Sequence, residues 1–184
     1  MTPGPKLPVI HGSTQAAPPA EQFELVQAGV GRLYRLSREG VNHVEAFNYD
    51  GSWWRCDSLI LGASKFDAHT LAREEGIRSR TQSVDHYVVM LVQAGHVRVN
   101  SNGVCHSLKP GELIVGDMAR PSIAHHEAGA TLTLYIPRDV LEEALPRVID
   151  LHGVVLQGAA ATLLGSHLRS LLTSANDIGI DAGP

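Results

Sequence analysis

Between Trp53 and Pro137 turn signals recur about every 8–12 residues, with short runs of β-forming side chains between them. This rhythm restricts the fold more than any other feature, because strands so short bury themselves only by pairing into a sandwich or barrel. The run Tyr87-Val88-Val89-Met90-Leu91-Val92 is apolar at every position, the pattern of a strand covered on both faces. It ends at the turn Ala94-Gly95. Residues 96–100 then alternate, with Val97 and Val99 on one side. Ser101-Asn102-Gly103 and Pro110-Gly111 are turns whose second residues suit a positive φ. In the last run, residues 131–136, Leu132, Leu134 and Ile136 share a face.

At Pro137 the period changes from two to that of a helix. Residues 139–145 collect helix formers with acidic residues early, which suits the helix dipole, and Pro146 limits them. A second helix is predicted over 159–174, where Leu163, Leu164, His167, Leu168, Leu171 and Leu172 fall on one stripe. Before Trp53 the signals are weaker. Residues 1–20 hold Pro3, Pro5, Pro8, Pro18 and Pro19, five of the ten prolines, and are predicted to be a mobile arm. Residues 33–36 alternate weakly and suggest a first strand. The expected division is an arm over 1–20, a β domain over 21–137, a helical segment over 138–175 and a tail over 176–184.

The chain has 184 residues, enough for one well-cored domain with tails. Its net charge of -4 argues against holding nucleic acid unaided, since phosphate binding needs clustered Lys and Arg. The two cysteines, Cys56 and Cys105, form no C-x-x-C pair and read as free thiols in a reducing compartment. No apolar run is long enough to span a membrane. The prolines near the start leave no room for a secretory leader. These observations together predict a cytoplasmic protein.

A set of residues in fixed order adds to this reading. It runs from Arg80 through Asp85-His86-Tyr87, Gly95 and Gly103 to Leu108-Lys109-Pro110-Gly111-Glu112, Asp117 and Arg120-Pro121. It continues with Tyr135-Ile136-Pro137-Arg138, Leu151-His152-Gly153 and the stretch from Leu163 to Leu172. The ordered set resembles the ligand-binding domain of AraC/XylS-type transcription regulators. The resemblance spans roughly Trp53 to Ser174. It implies a cupin-like jelly-roll barrel followed by two C-terminal helices, mainly β. It also implies a small effector in the barrel, an N-terminal arm that closes over it, a homodimer made by the helices, and helix-turn-helix units beyond them. Only twelve residues follow Leu172, and Arg169 is the one basic residue from Asp150 onward. This chain is therefore expected to sense an effector and dimerise without binding an operator itself.

The alternative is a small cupin-type metalloenzyme. That chemistry needs two histidines two apart on one strand, so that both point inward, with a glutamate and a third histidine elsewhere. No His-x-His occurs. His125 and His126 are adjacent and diverge, while His86, His96 and His106 come from three successive β segments. No metal or other cofactor is predicted. Ser166-His167 lies on a helix with nothing to make it a nucleophile and base, and Glu74-Glu75 and Glu142-Glu143 diverge, so no catalytic residues and no enzyme activity are predicted. For effector binding the candidates are Trp53, Trp54, Tyr87 and Met90 as an apolar lining, with Arg80 or His86 fixing a polar group. Arg80 is also placed to brace Asp85 or Asp117. The family branch suggests an aromatic or carboxylate effector. The six-residue stripe from Leu163 to Leu172 is the candidate dimer contact.

Overall fold

The computed structural model describes residues 7–38, 45–74, 85–147 and 149–177. In chain order the elements are β1 (Val9–Ser13), α1 (Pro19–Val30), β2 (Arg35–Ser37), β3 (Tyr49–Cys56), β4 (Leu59–Phe66) and β5 (His69–Arg73). Then come β6 (His86–Ala94), β7 (Val97–Ser101), β8 (Val104–Leu108), β9 (Leu113–Asp117), β10 (Ser122–His126) and β11 (Gly129–Pro137). A helix α2 (Arg138–Ala144), β12 (Val154–Leu156) and a helix α3 (Gly158–Asp177) complete the described chain. The strands form two antiparallel sheets, one in the order β1-β3-β4-β11-β6-β9-β12 and one in the order β2-β5-β10-β7-β8. This is the expected jelly roll followed by helices.

The turns form as their residues dictate. Asn102 and Gly103 have φ of 54° and 75°, so the β7–β8 hairpin turns through two positive-φ residues, and Gly111 takes φ 96° before β9. The larger sheet is apolar on both sides. Tyr87, Val89 and Leu91 of β6 join Leu113, Val115 and Leu132 in a core beneath α3, which contributes Ala161, Leu168 and Ala175. Val92 and Ile114 point the other way, into a cluster with Val97, Val99 and Leu108, against which Met90 packs. The expectation for Tyr87–Val92 therefore holds, with α3 supplying the second surface.

The arm does not form as expected. Residues 9–13 pair with β3 in register Val9↔Trp54 to Ser13↔Asp50, as the edge strand of the larger sheet. An edge tolerates the proline at position 8 because no ladder bond is asked of its nitrogen. Pro19 does not break structure either. It stands in the first turn of α1, where its fixed φ is already helical and its missing N–H would have gone unpaired. Residues 1–6 lie outside the described residues. The helical segment likewise contains a strand, β12, which pairs with β9.

The predicted stripe on α3 divides. Leu168 is fully buried, and Leu164 and Leu172 pack against the same core under the helix. Leu163 is 71% exposed, Leu171 is 39% exposed, and His167 is exposed with them. Six residues spread over two columns cover more than 100° of a helix, so one column meets the sheet and the other turns away.

Candidate functional site

A cavity of about 640 Å³ lies between the two sheets. Strand alternation decides which side chains reach it. On β11, Thr131, Thr133 and Tyr135 line it while Leu132 and Leu134 serve the core on the other side. On β10 the inward residues are Ser122, Ala124 and His126. Ile10 to Thr14, at and just beyond β1, close one side, and Leu25, Val26, Gly29 and Val30 of α1 lie across it. The covering helix is tied down by side-chain amides. Gln22 Nε2 donates to the carbonyls of Thr14 and Ala17 at 3.1 Å, and its Oε1 accepts from Phe47 N at 2.8 Å. Gln27 Oε1 accepts from Leu36 N at 2.9 Å.

The sequence candidates separate by the same alternation. Trp53 and Met90 line the cavity. Trp54 and Tyr87 do not: they are buried in the core on the opposite face of the sheet, because adjacent residues of a strand diverge and 87 and 90 differ by an odd number. His86 begins β6 and is not among the lining residues; its Nδ1 is buried without a hydrogen-bond partner. Arg80 lies outside the described residues. Among the described residues Asp85 and Asp117 are braced by Arg138, whose guanidinium donates to Asp85 Oδ1 at 2.6 Å, Asp117 Oδ1 at 2.5 Å and Tyr87 Oη at 2.7 Å. Burial alone would lower the Arg138 pKa, but the hydrogen bonds to Asp85 and Asp117 outweigh it and push it up.

The indole of Trp53 lies close over glycine backbone. A Cβ at Gly62 would stand 2.8 Å from Trp53 Cδ1, and one at Gly51 would stand 2.5 Å from Cη2, so any larger residue at either position displaces the ring. Tyr49 stacks nearly parallel to it at 6.3 Å. Sequence reasoning missed the polar members of the lining, which are mainly hydroxyls and imidazoles. Their signal is the threonine-tyrosine face of β11, polar opposite a leucine face in a strand with no exposed side.

Of the four histidines that line the cavity, His69, His126 and His152 are buried and His11, on the edge strand β1, is exposed. His69 and His126 stack face to face with centroids 4.7 Å apart, and Phe66 meets both edge-on. His69 Nδ1 donates to Asp67 O at 2.8 Å. Burial lowers the His69 pKa; burial, then His69 and His125 as neighbours, brings His126 from 6.5 to about 3. His152 Nδ1 accepts from Asp117 N at 3.1 Å, which leaves the proton on Nε2 to face Pro121 O at 3.2 Å. Burial lowers its pKa as well. The tyrosines move the other way, as buried phenols must: burial raises Tyr34 and Tyr135, and takes Tyr49 to about 12.

The buried imidazoles make stability pH-dependent. Above pH 6.5 His126 is neutral in folded and unfolded chains alike. Below it the unfolded chain takes up a proton that the folded one refuses until about pH 3, so stability falls with pH across that window. Between pH 6.5 and 5 the loss from this one group is about 2 kcal/mol. His126→Phe keeps a ring beside His69 and Phe66, and its urea unfolding free energy should fall by about that much less than wild type on moving from pH 7.5 to 5. Identical pH profiles would remove His126 as the cause.

Among the described residues no group of three or more His, Cys, Asp or Glu is placed to hold a metal ion. His96 pairs instead with Glu127 at 3.1 Å on the surface. No helix among the described residues is long and apolar enough to cross a membrane.

Comparison with known proteins gives a consistent result. The family described as the AraC-binding-like domain matches residues 38–183. The transcriptional activator NphR of Rhodococcus sp is 30% identical over 109 residues, which is 58% of this chain and 32% of that protein. The crystal structure of the AraC-like transcriptional activator CuxR superposes with a TM-score of 0.82 at 20% identity, covering 93% of this chain and 65% of that one. The chain thus spans about a third of NphR and two thirds of CuxR. With most of its length matched and the jelly roll in place, this chain belongs to the AraC-binding-like domain family.

Proposed function

We propose that this chain is the effector-sensing and dimerisation domain of an AraC-type transcription regulator, a binding module and not an enzyme. The carrying observation is the cavity of about 640 Å³ between the sheets, a volume within the range of small-molecule sites, lined in part by β1 and α1. Homology to two transcriptional activators supports the regulatory setting. The net charge of -4 supports leaving DNA contact to a separate helix-turn-helix domain.

For dimerisation the supporting feature is the outward column Leu163, His167 and Leu171 of α3, an apolar strip on a helix whose other column already serves the core. A homodimer would bring this strip against its copy across a two-fold axis.

The sensing role is tested by a thermal-shift screen of small metabolites on wild type and Ala124→Phe. Ala124 lines the cavity from β10, and phenylalanine there takes up ligand space. A ligand at a hundred times its Kd adds about 2.7 kcal/mol to wild type, a rise of several degrees, and little to the variant. A screen in which every binder stabilises both proteins equally, or in which none binds, rejects the cavity as a sensor.

A further inference from the structure

We infer that the Trp53 indole is the floor on which this cavity receives its ligand, and that the ligand carries a planar aromatic ring stacked on the indole's inward face. This rests on the sensor reading and narrows it to a ligand class.

The first observation is how the indole is laid. Trp53 and Gly51 share one face of β3. Gly12 of β1 is the register partner of Gly51, and Gly62 of β4 is the register partner of Trp53. A Cβ at Gly62 would stand 2.8 Å from Trp53 Cδ1 and 2.9 Å from Nε1. One at Gly51 would stand 2.5 Å from Cη2, and one at Gly12 would stand 3.7 Å from Cζ3. The glycines thus meet the indole at its pyrrole edge, its far end and its opposite edge. A ring lying flat along β3 satisfies all three contacts. Glycine weakens a strand, and inside one it marks a close approach to the backbone. Here three adjacent strands each place a glycine under the same side chain.

The second observation is the other side of the ring. Trp53 lines the cavity and is only half-buried, whereas Trp54 beside it is buried in the core. With one face against backbone, the surface left to the indole looks into the cavity. Tyr49, on the same face of β3, lies nearly parallel to it with centroids 6.3 Å apart, an offset arrangement that widens the aromatic surface. The Tyr49 hydroxyl is fixed to Ser64 Oγ at 3.1 Å. This floor is preformed, which spares a ligand the cost of ordering side chains. Access lies beside it. Ile10, the register partner of Trp53 on the edge strand, lines the cavity and is 73% exposed, and Leu25 of α1 lines it at 50% exposure. The cavity therefore reaches solvent between β1 and α1, next to the indole.

A matched pair of probes tests this: 2-naphthol and decahydro-2-naphthol, titrated calorimetrically into the full chain. They share a skeleton and a hydroxyl, and the saturated molecule is the more apolar, so burial alone favours it. Naphthol should nonetheless bind about tenfold more tightly, the upper end of what an aromatic stack contributes. Trp53→Leu should abolish that preference, and Trp53→Tyr should keep part of it. Gly51→Ala, which leaves the indole but pushes it off the sheet, should reduce it. Circular dichroism establishes that each variant is folded. A saturated probe that binds as tightly as naphthol overturns the inference. So does a preference that survives Trp53→Leu unchanged, or the failure of both probes to bind at millimolar concentration. Should Trp53→Leu not fold, Gly51→Ala decides in its place, and an unchanged preference there overturns the inference. The sensor reading stands or falls separately, on whether the metabolite screen yields any binder that Ala124→Phe suppresses.

Discussion

Replacing Leu168 with alanine should cost about 2–5 kcal/mol of folding stability, because the side chain is fully buried where α3 meets the larger sheet. At Gly165, one turn earlier, a methyl would already touch Leu113 and Leu91, so the helix is too close to the strands for the core to refill a leucine-sized hole easily. The outward column should behave in the opposite way. Leu163→Glu with Leu171→Glu removes apolar surface from solvent, and each change should shift stability by no more than about 0.5 kcal/mol. The same double variant should convert a homodimer into a folded monomer by light scattering, with β-type circular dichroism retained. Denaturant titration and light scattering of the two variants side by side test both halves. A wild-type chain that is monomeric at high micromolar concentration would reject the dimer, and a double variant that unfolds would show that the outer column is structural.

Arg138→Met should destabilise by about 2–4 kcal/mol, by leaving Asp117 without its cation. Asp117 has 11% of its side chain exposed, against 60% for Asp85, so solvent can replace the guanidinium at Asp85 far better than at Asp117. Adding Asp117→Asn to the arginine variant should recover much of the loss, since the remaining amide needs no counter-charge. A double-mutant cycle in urea measures this directly, and additive losses would show that the two residues act apart. The same contact joins β6, β9 and the start of α2, and Asp117 N is also held by His152, a residue of the cavity rim.

How far the sequence reached depended on whether its signals were local. The hairpin at Asn102-Gly103, the two-sided strand Tyr87–Val92 and the change of period at Pro137 each follow from neighbours in the chain, and each appears where expected. The N-terminal segment was misread because proline was weighed as a breaker. Its value at Pro19 depends on standing in the first turn of a helix, and the apolar spacing of Phe23, Val26 and Val30 in α1 is the signal that would have shown it. The site was legible only in part. Trp53 and Met90 could be nominated as large apolar residues on strands, but choosing between Trp53 and Trp54 requires knowing which face of β3 looks inward. The polar residues of the lining were beyond reach. Ser101 sits in what reads as a turn, and His126 acquires its character from His69, more than fifty residues earlier, through a stack that only β5 pairing with β10 creates. Arg138 and Asp117 were both within the ordered set, yet their pairing depends on where α2 leaves β11.

The two-sided central strands have a consequence for how such a domain can diversify. On β11 the odd positions, Thr131, Thr133 and Tyr135, face the cavity, and the even ones, Leu132, Leu134 and Ile136, face the seat of α3. Neighbouring codons therefore answer to different selective pressures. Point changes at odd positions can reshape the chamber while the even ones keep the helix seated, so a lineage can vary the lining without relearning how to fold.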